Sequence, residues 1–209
     1  MEIHVPSGRP HSWKNFAIEL GTITTGILIA LTLEALVEQR HYRVLADEAR
    51  ETITSEIKDN AQELQSVLKQ ITESGRSIEA ARIVVEELLA TRKSNATEFS
   101  LDAHMAELSS SSWQTAQHTG ALSHMPYSEV QTFSKVYSMQ DLFLDHQRRS
   151  FERLASALSL LRAGGDPHKT PPEDLRALRT QILEHQANVF LQQKLGEGLL
   201  KAYQKILEK

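Results

Sequence analysis

One largely apolar stretch, residues 16–37, constrains this chain more than any other part of its sequence. It reads FAIELGTITTGILIALTLEALV. As a helix it would be about 33 Å long, enough to cross the roughly 30 Å hydrocarbon core of a bilayer. Its two carboxylates, Glu19 and Glu34, would then lie near the edges of that core, where a charged group is penalised least. The stretch therefore predicts a transmembrane helix, preceded by a short tail at residues 1–15.

Two other interpretations of residues 16–37 stay open at the level of sequence. Only residues 20–33 are free of charge, and an apolar run of about 10–14 residues is common in the core helix of a soluble protein. The short apolar region after Arg9 and Lys14 also fits a signal peptide. A cleaved signal needs small residues after the apolar region, but the chain has Glu34-Ala-Leu-Val-Glu38 there.

Small residues recur at every fourth position of the apolar stretch, which predicts a helix-packing face. The face carries Thr22, Gly26, Ala30 and Glu34. Small residues at this spacing let two helix backbones approach closely in a membrane. We therefore expect the protein to be a homo-oligomer, with Glu34 either on the packed face or at the water boundary.

Composition excludes several classes of function. The 209-residue chain has a net charge of -4 and no basic patch, which argues against nucleic acid as a partner. It contains no cysteine, so disulfides, thiolate catalysis and cysteine-based metal centres are absent. The basic residues before and after the apolar stretch are nearly balanced. We expect a cytoplasmic N-terminus, because a short tail is easily retained, and a periplasmic domain.

A long amphipathic pattern follows the apolar stretch without a helix breaker before Gly75. Apolar residues recur at spacings of three and four, which indicates one buried helix face. They are Leu45, Ala49, Ile53, Ile57, Ala61, Leu64, Leu68 and Ile71. The transmembrane helix is therefore expected to continue as a stalk helix.

A second seam in steps of three and four predicts helix packing in the C-terminal half. Its positions are Val130, Phe133, Tyr137, Gln140, Leu144, Gln147, Phe151, Leu154, Leu158 and Leu161. A Gly/Pro turn at 164–167 ends this helix, and Thr170 and Glu173 form an expected capping box for the next one. A short turn favours antiparallel neighbours. The predicted fold is all-α, with residues 38–209 forming the stalk and a three- to four-helix bundle.

No group of residues in the sequence forms a recognisable catalytic or metal-binding motif. The nine histidines include no pair at the i, i+4 spacing of a helical metal clip, and no phosphate-binding glycine loop occurs. We expect no enzyme activity, no cofactor and no metal. One possible pocket is formed by Trp113, His118, His124 and Tyr127, which are close in sequence, although an aromatic-capped turn packed on the bundle is the simpler interpretation.

Two segments resemble a group of uncharacterised bacterial proteins. They are HSWKNFAIELGTITTGILIALTLEALVEQRHYR at residues 11–43 and SWQTAQHTGALSHMPYSEV at residues 112–130. The resemblance implies a single-pass, membrane-anchored helical protein of the bacterial inner membrane, and it supplies no activity or ligand. The expected function is a structural or interaction scaffold whose partners are membrane lipid and further copies of itself. A membrane-anchored sensory or ligand-binding module is the alternative.

Overall fold

The computed structural model describes residues 13–94, 104–159 and 167–208, and within these ranges the chain is helical with no β-strand. The described residues form four α-helices: α1 (Trp13–Thr91), α2 (Ser111–His118), α3 (Tyr127–Leu158) and α4 (Pro172–Leu207). Short 3-10 turns at Ala121–His124 and Pro167–Lys169 precede α3 and α4. The predicted all-α class with a long apolar N-terminal helix is confirmed. Most of the predicted tail, the glycines of the turn at 164–167 and Leu161 of the seam lie outside the described residues.

The chain divides into two compact units, Met1–Asp47 and Glu48–Lys209. In the first unit the apolar side chains of α1 are exposed on every side of the helix, with Ile23 at 56% and Leu33 at 59%. None of the apolar window is buried. A core helix would be covered by its neighbours, so the exposure of residues 16–37 disagrees with the soluble-core interpretation for a single copy of the chain.

The threonine hydroxyls of the apolar helix are satisfied by the helix itself. Each donates a hydrogen bond to the carbonyl oxygen four residues earlier, at 2.7–2.9 Å; the donors are Thr22, Thr24, Thr25 and Thr32. A hydroxyl paired in this way can enter an apolar environment without leaving its O–H donor unpaired. The threonines of the stretch therefore do not oppose its burial in lipid.

The second unit is held by contacts among α1, α3 and α4. Glu56 and Asn60 of α1 bond Tyr137 and Gln140 of α3, so residue numbers rise together and the two helices are parallel. Gln140 also bonds Tyr203 of α4, whereas the later Gln147 of α3 bonds the earlier Gln192. α4 is therefore antiparallel to α3, the relation that the short connection predicts.

Apolar packing between α1 and α4 forms a distinct cluster in the second unit. Its buried members are Ile78, Ala81, Val84, Val85 and Leu88 of α1 with Leu175, Leu178 and Ile182 of α4. Leu89 and Val189 pack at its edge. Burying apolar side chains of this size contributes about 1.5–3 kcal/mol each, so this cluster is a major source of stability.

The C-terminal seam is buried over most of its length. Phe133, Tyr137, Gln140, Gln147 and Leu154 are all buried. The prediction is wrong at Phe151 and Leu158, which are 48% and 39% exposed, and it omits Phe143, which is completely buried. Helix α3 has neighbours on two sides, so its buried face is wider than one heptad seam.

The predicted capping box of α4 is wrong by one position. Pro171 is the N-cap and Pro172 the first helical residue, with no side-chain cap hydrogen bond at the N-cap. Proline is favoured at the first helical position because its fixed φ suits the helix and it has no N–H to leave unpaired. The two consecutive prolines thus shift the helix start one residue beyond the position that Thr170 and Glu173 predicted.

Candidate functional site

Trp113 is the one member of the predicted pocket that enters the interior. Its ring stacks on Tyr137 of α3, with 5.3 Å between the ring centroids and 11° between the planes. Trp113 is only 8% exposed. Helix α2 is thus fixed to α3 by an aromatic pair.

The other three members of the predicted pocket lie on the surface. Tyr127 is 77% exposed, and His118 and His124 are also exposed. A ring nitrogen of His118 contacts the carbonyl oxygen of Gln114 at 2.6 Å, within α2. A polar groove beside Trp113 is lined by Ser110, Trp113, Gln114, Gln117, Ser134, Tyr137, Ser138 and Asp141, and not by these three residues. The four residues therefore do not converge on one cavity there.

The four residues of the predicted membrane packing face lie on the exposed part of α1. Thr22, Gly26, Ala30 and Glu34 are all exposed. A Cβ added at Gly26 would meet no atom within 4 Å. The face is therefore accessible to a second helix in a single copy of the chain.

A buried carboxylate, Glu56, organises the interior of the second unit. It is 8% exposed and accepts a hydrogen bond from the Tyr137 hydroxyl at 2.6 Å. Its other oxygen accepts from the Ser109 hydroxyl at 2.7 Å and from the Ser112 N–H at 2.9 Å. Since Ser112 is in the first turn of α2, Glu56 satisfies a helix N–H that has no partner within the helix. One carboxylate thereby ties α1, α2 and α3 together.

Hydrogen bonding decides the charge state of this carboxylate. Burial by itself would raise the pKa of Glu56, but the hydrogen bonds from Tyr137, Ser112 and Ser109 together outweigh burial, and the pKa lies below its ordinary value. Burial, with the charge of Glu56, raises the pKa of Tyr137. Glu56 is therefore ionised and Tyr137 is neutral at neutral pH, the states that favour their hydrogen bond.

Gln140 forms a second polar centre next to Glu56. Its side-chain oxygen accepts from the Tyr203 hydroxyl at 2.6 Å and from the Asn60 amide at 3.2 Å. Its side-chain nitrogen donates to the carbonyl oxygen of Ser109 at 2.9 Å. Gln140 is fully buried, and helices α1, α3 and α4 meet at this residue. The glutamine of the predicted seam is thus paired across the interface.

Amide side chains hold residues 104–110, which have no regular secondary structure. Asn60 bonds both the N–H and the C=O of Ser109, at 2.8 and 2.7 Å. Gln147 does the same for Ala106, at 2.8 and 3.0 Å. An amide side chain carries a donor and an acceptor, so it can satisfy both the N–H and the C=O of one residue, as a neighbouring β-strand would. These two residues position the segment that leads into α2.

His185 of α4 is the most anomalous polar group in the described part of the chain. It is 5% exposed, and neither ring nitrogen has a hydrogen-bond partner among the described residues. It lines a cavity of about 20 Å³, while roughly 10–15 Å³ is enough for one water. The cavity is also lined by Ile71, Ser74, His104, Met105, Gln147, Ser150, Phe151, Val189 and Gln192. Among the described residues of this lining, His104 is the only other titratable group.

Burial lowers the pKa of His185, because a buried imidazolium loses its water shell. The ordinary pKa of histidine is 6.5, so below this pH His185 is protonated in the unfolded chain but resists protonation in the folded chain. Stability therefore falls as the pH falls below 6.5, with a slope of at most about 1.4 kcal/mol per pH unit for one proton.

We expect urea unfolding between pH 7.5 and pH 5 to show this loss in the wild-type chain. The variant His185→Leu removes a buried group without a partner, so it should be no less stable at pH 7.5 and should depend less on pH. The exposed His41→Gln variant is the control and should follow the wild type. An equal pH dependence in His185→Leu and wild type would contradict the assignment.

Sequence reasoning missed Glu56 and His185 as important residues. Glu56 directly precedes Ile57 of the α1 stripe, and His185 follows Ile182 of the α4 stripe by three positions. The available signal for both residues was an ionisable side chain that borders or continues an apolar stripe.

No three histidine, aspartate or glutamate side chains come together as a metal site within residues 13–94, 104–159 and 167–208. Comparisons with family models, curated proteins and solved structures found no match to the chain.

Proposed function

We propose that this protein is a single-pass, membrane-anchored helical scaffold without catalytic activity. Residues 16–37 cross the inner membrane of a bacterium, and residues 38–209 form a stalk and helical bundle on the periplasmic side. The proposal follows the resemblance of residues 11–43 and 112–130 to anchored bacterial proteins. The observation that carries it is the apolar surface of α1, exposed on every side from Phe16 to Val37.

The internal hydrogen bonding of this surface agrees with lipid as its environment. A membrane-spanning segment has to satisfy its backbone polar groups internally, and a helix does so. The threonine hydroxyls are satisfied as well, as with Thr22 bonded to Ile18. About twenty-two consecutive exposed residues of this composition in water would be an aggregation hazard.

Carbonate extraction of membranes tests the anchor. We expect the wild-type chain in the pellet, at the mass of the uncleaved chain. A charge at the helix centre costs about 2.5–3.5 kcal/mol, so Leu28→Arg should move part of the protein to the supernatant. Leu142→Arg is the matched control, because Leu142 is 56% and Leu28 58% exposed, but only Leu28 is proposed to face lipid.

Two outcomes of the extraction would contradict the anchor. Wild-type protein in the supernatant would show that lipid does not hold it. A chain shortened at its N-terminus would show a cleaved signal. The periplasmic assignment has a separate test, since a reporter fused after the last residue and active only in the cytoplasm would reverse it.

Self-association through the small-residue face is part of the proposal. We expect Gly26→Ile to weaken dimerisation in lipid bilayers about tenfold, which corresponds to 1.4 kcal/mol, because a branched side chain keeps the backbones apart. Gly21→Ile adds the same side chain outside the face and serves as the control. Energy transfer between labelled copies in vesicles measures both, and equal association of the two variants would remove this face from the proposal.

A sensory module is the second candidate, and the cavity at His185 favours it. The cavity lies among α1, α3 and α4, so a group bound in it would contact all three helices. Spin labels at positions 59 of α1 and 141 of α3 would measure the distance between these helices. A change in this distance on protonation or on ligand binding at the cavity would support this candidate over a static scaffold.

A further inference from the structure

Two adjoining hollows on the second unit form an amphipathic groove. The larger, about 560 Å³, lies among Arg50, Thr54, Pro126, Ser128, Glu129, Thr132, Phe133, Ile206 and Leu207. The smaller, about 270 Å³, lies among Thr132, Lys135, Val136, Met139, Ala202, Lys205 and Ile206. Because Thr132 and Ile206 line both, the hollows are continuous along α3 and α4. The larger is within the roughly 300–1,000 Å³ range of small-molecule sites.

The groove has an apolar floor. Phe133 and Val136 are buried at 3% and 4% exposure, so they form a fixed base. Leu207 is 38% exposed at the edge of the larger hollow. An apolar chain lying there would cover surface that water now contacts, which is favourable.

The charges of the groove are unevenly distributed. In the larger hollow, Arg50 and Glu129 neutralise each other through two hydrogen bonds at 2.6 and 3.1 Å. In the smaller hollow, Lys135 and Lys205 form no ion pair within the described residues, and none of the described residues that line it carries a carboxylate. The groove therefore has a cationic end and a neutral, apolar end.

We propose that this groove binds a single-chain anionic amphiphile, a long-chain fatty carboxylate. The carboxylate lies between Lys135 and Lys205, and the alkyl chain follows Ile206 and Phe133 into the larger hollow. The two lysines favour a negative head group, and the neutral end accepts the chain without burying an unpaired charge. The inference goes beyond a scaffold and does not depend on whether α1 spans a membrane.

The experiment uses a diazirine-labelled palmitate and the full chain in phosphatidylcholine nanodiscs, with the cross-linked peptide identified by mass spectrometry. We expect labelling in residues 126–139 and 202–207, reduced about tenfold in Lys135→Gln/Lys205→Gln, since the ammonium groups supply the charged contacts. Lys201→Gln removes a charge from α4 outside the groove and should label like the wild type. A chain that remains soluble is tested with the same probe in buffer.

Three results would overturn the proposal. Equal labelling by the corresponding fatty alcohol would show that the charge is not recognised. Labelling by a diazirine phosphatidylglycerol but not by the free carboxylate would assign the groove to a membrane surface. Labelling of the double variant at the wild-type level would remove the two lysines from the site. Ala202→Phe, which fills the smaller hollow, should independently reduce labelling.

Discussion

Replacing Glu56 by alanine is expected to destabilise the second unit by about 3 kcal/mol, since it leaves the buried Tyr137 hydroxyl and two more accessible donors without their acceptor. The Tyr137 hydroxyl, the Ser109 hydroxyl and the Ser112 N–H all donate to this carboxylate. Urea unfolding followed by circular dichroism would measure the loss. A smaller effect than that of an ordinary surface substitution, about 0.5 kcal/mol, would show that water replaces the carboxylate.

Asp59→Ala is the matched control for this substitution. Asp59 lies three residues further along α1 and is exposed. Removing its carboxylate should change the free energy of unfolding by less than about 0.5 kcal/mol. The comparison separates the loss of a buried acceptor from the loss of one negative charge on the helix.

The same carboxylate should make the second unit less stable at low pH. The pKa of Glu56 is lower in the folded chain than its ordinary value of 4.5, so the unfolded chain binds more protons just below that pH. The contribution of Glu56 to the free energy of unfolding is complete above pH 4.5 and is lost as the pH falls through the pKa of the folded state. Glu56→Gln cannot titrate, so the difference in stability between wild type and this variant should shrink in acid.

Replacing Gly196 by leucine is expected to cost about 1–3 kcal/mol through overpacking. A Cβ at Gly196 would lie 2.7 Å from a methyl carbon of Leu68 and 3.1 Å from the ring of Phe143. The Leu68 methyl can move, but Phe143 is completely buried. A larger side chain must therefore separate α4 from α1 and α3. Thermal unfolding would record the loss.

Gly198 provides the opposite result two positions away. The nearest atom to a Cβ there is the terminal methyl of Met139 at 4.0 Å, an ordinary contact. Gly198→Ala should therefore gain up to about 1 kcal/mol from helix propensity. If Gly196→Leu were tolerated as well as Gly198→Ala, the close approach of the three helices at Gly196 would be wrong.

The secondary structure followed from local patterns. The spacing of Phe133, Tyr137 and Gln140 predicted the buried face of α3, and the stripe through Ile53 and Ile57 predicted that of α1. Both residues of this α1 pair are completely buried. A period of three to four is a property of consecutive residues, so it can be recognised without knowledge of the fold.

The candidate sites were less accessible to the sequence. Closeness in sequence suggested a pocket of Trp113, His118, His124 and Tyr127, but the turns around them direct only Trp113 inward. The sequence predicted that Gln140 lies on the seam, but it could not identify the partners Asn60 and Tyr203. Choosing a partner requires the order and direction of the helices.

The sequence by itself determined the helical class, the long apolar segment and most of the buried faces, because hydrophobicity and spacing are local properties of the chain. Only the tertiary structure decided that Glu56 meets Tyr137, 81 residues away, and that His185 is buried without a partner. It also decided that Gly196 lies where three helices approach closely. These contacts depend on which helix faces lie opposite one another, and many pairings would bury the same apolar stripes equally well.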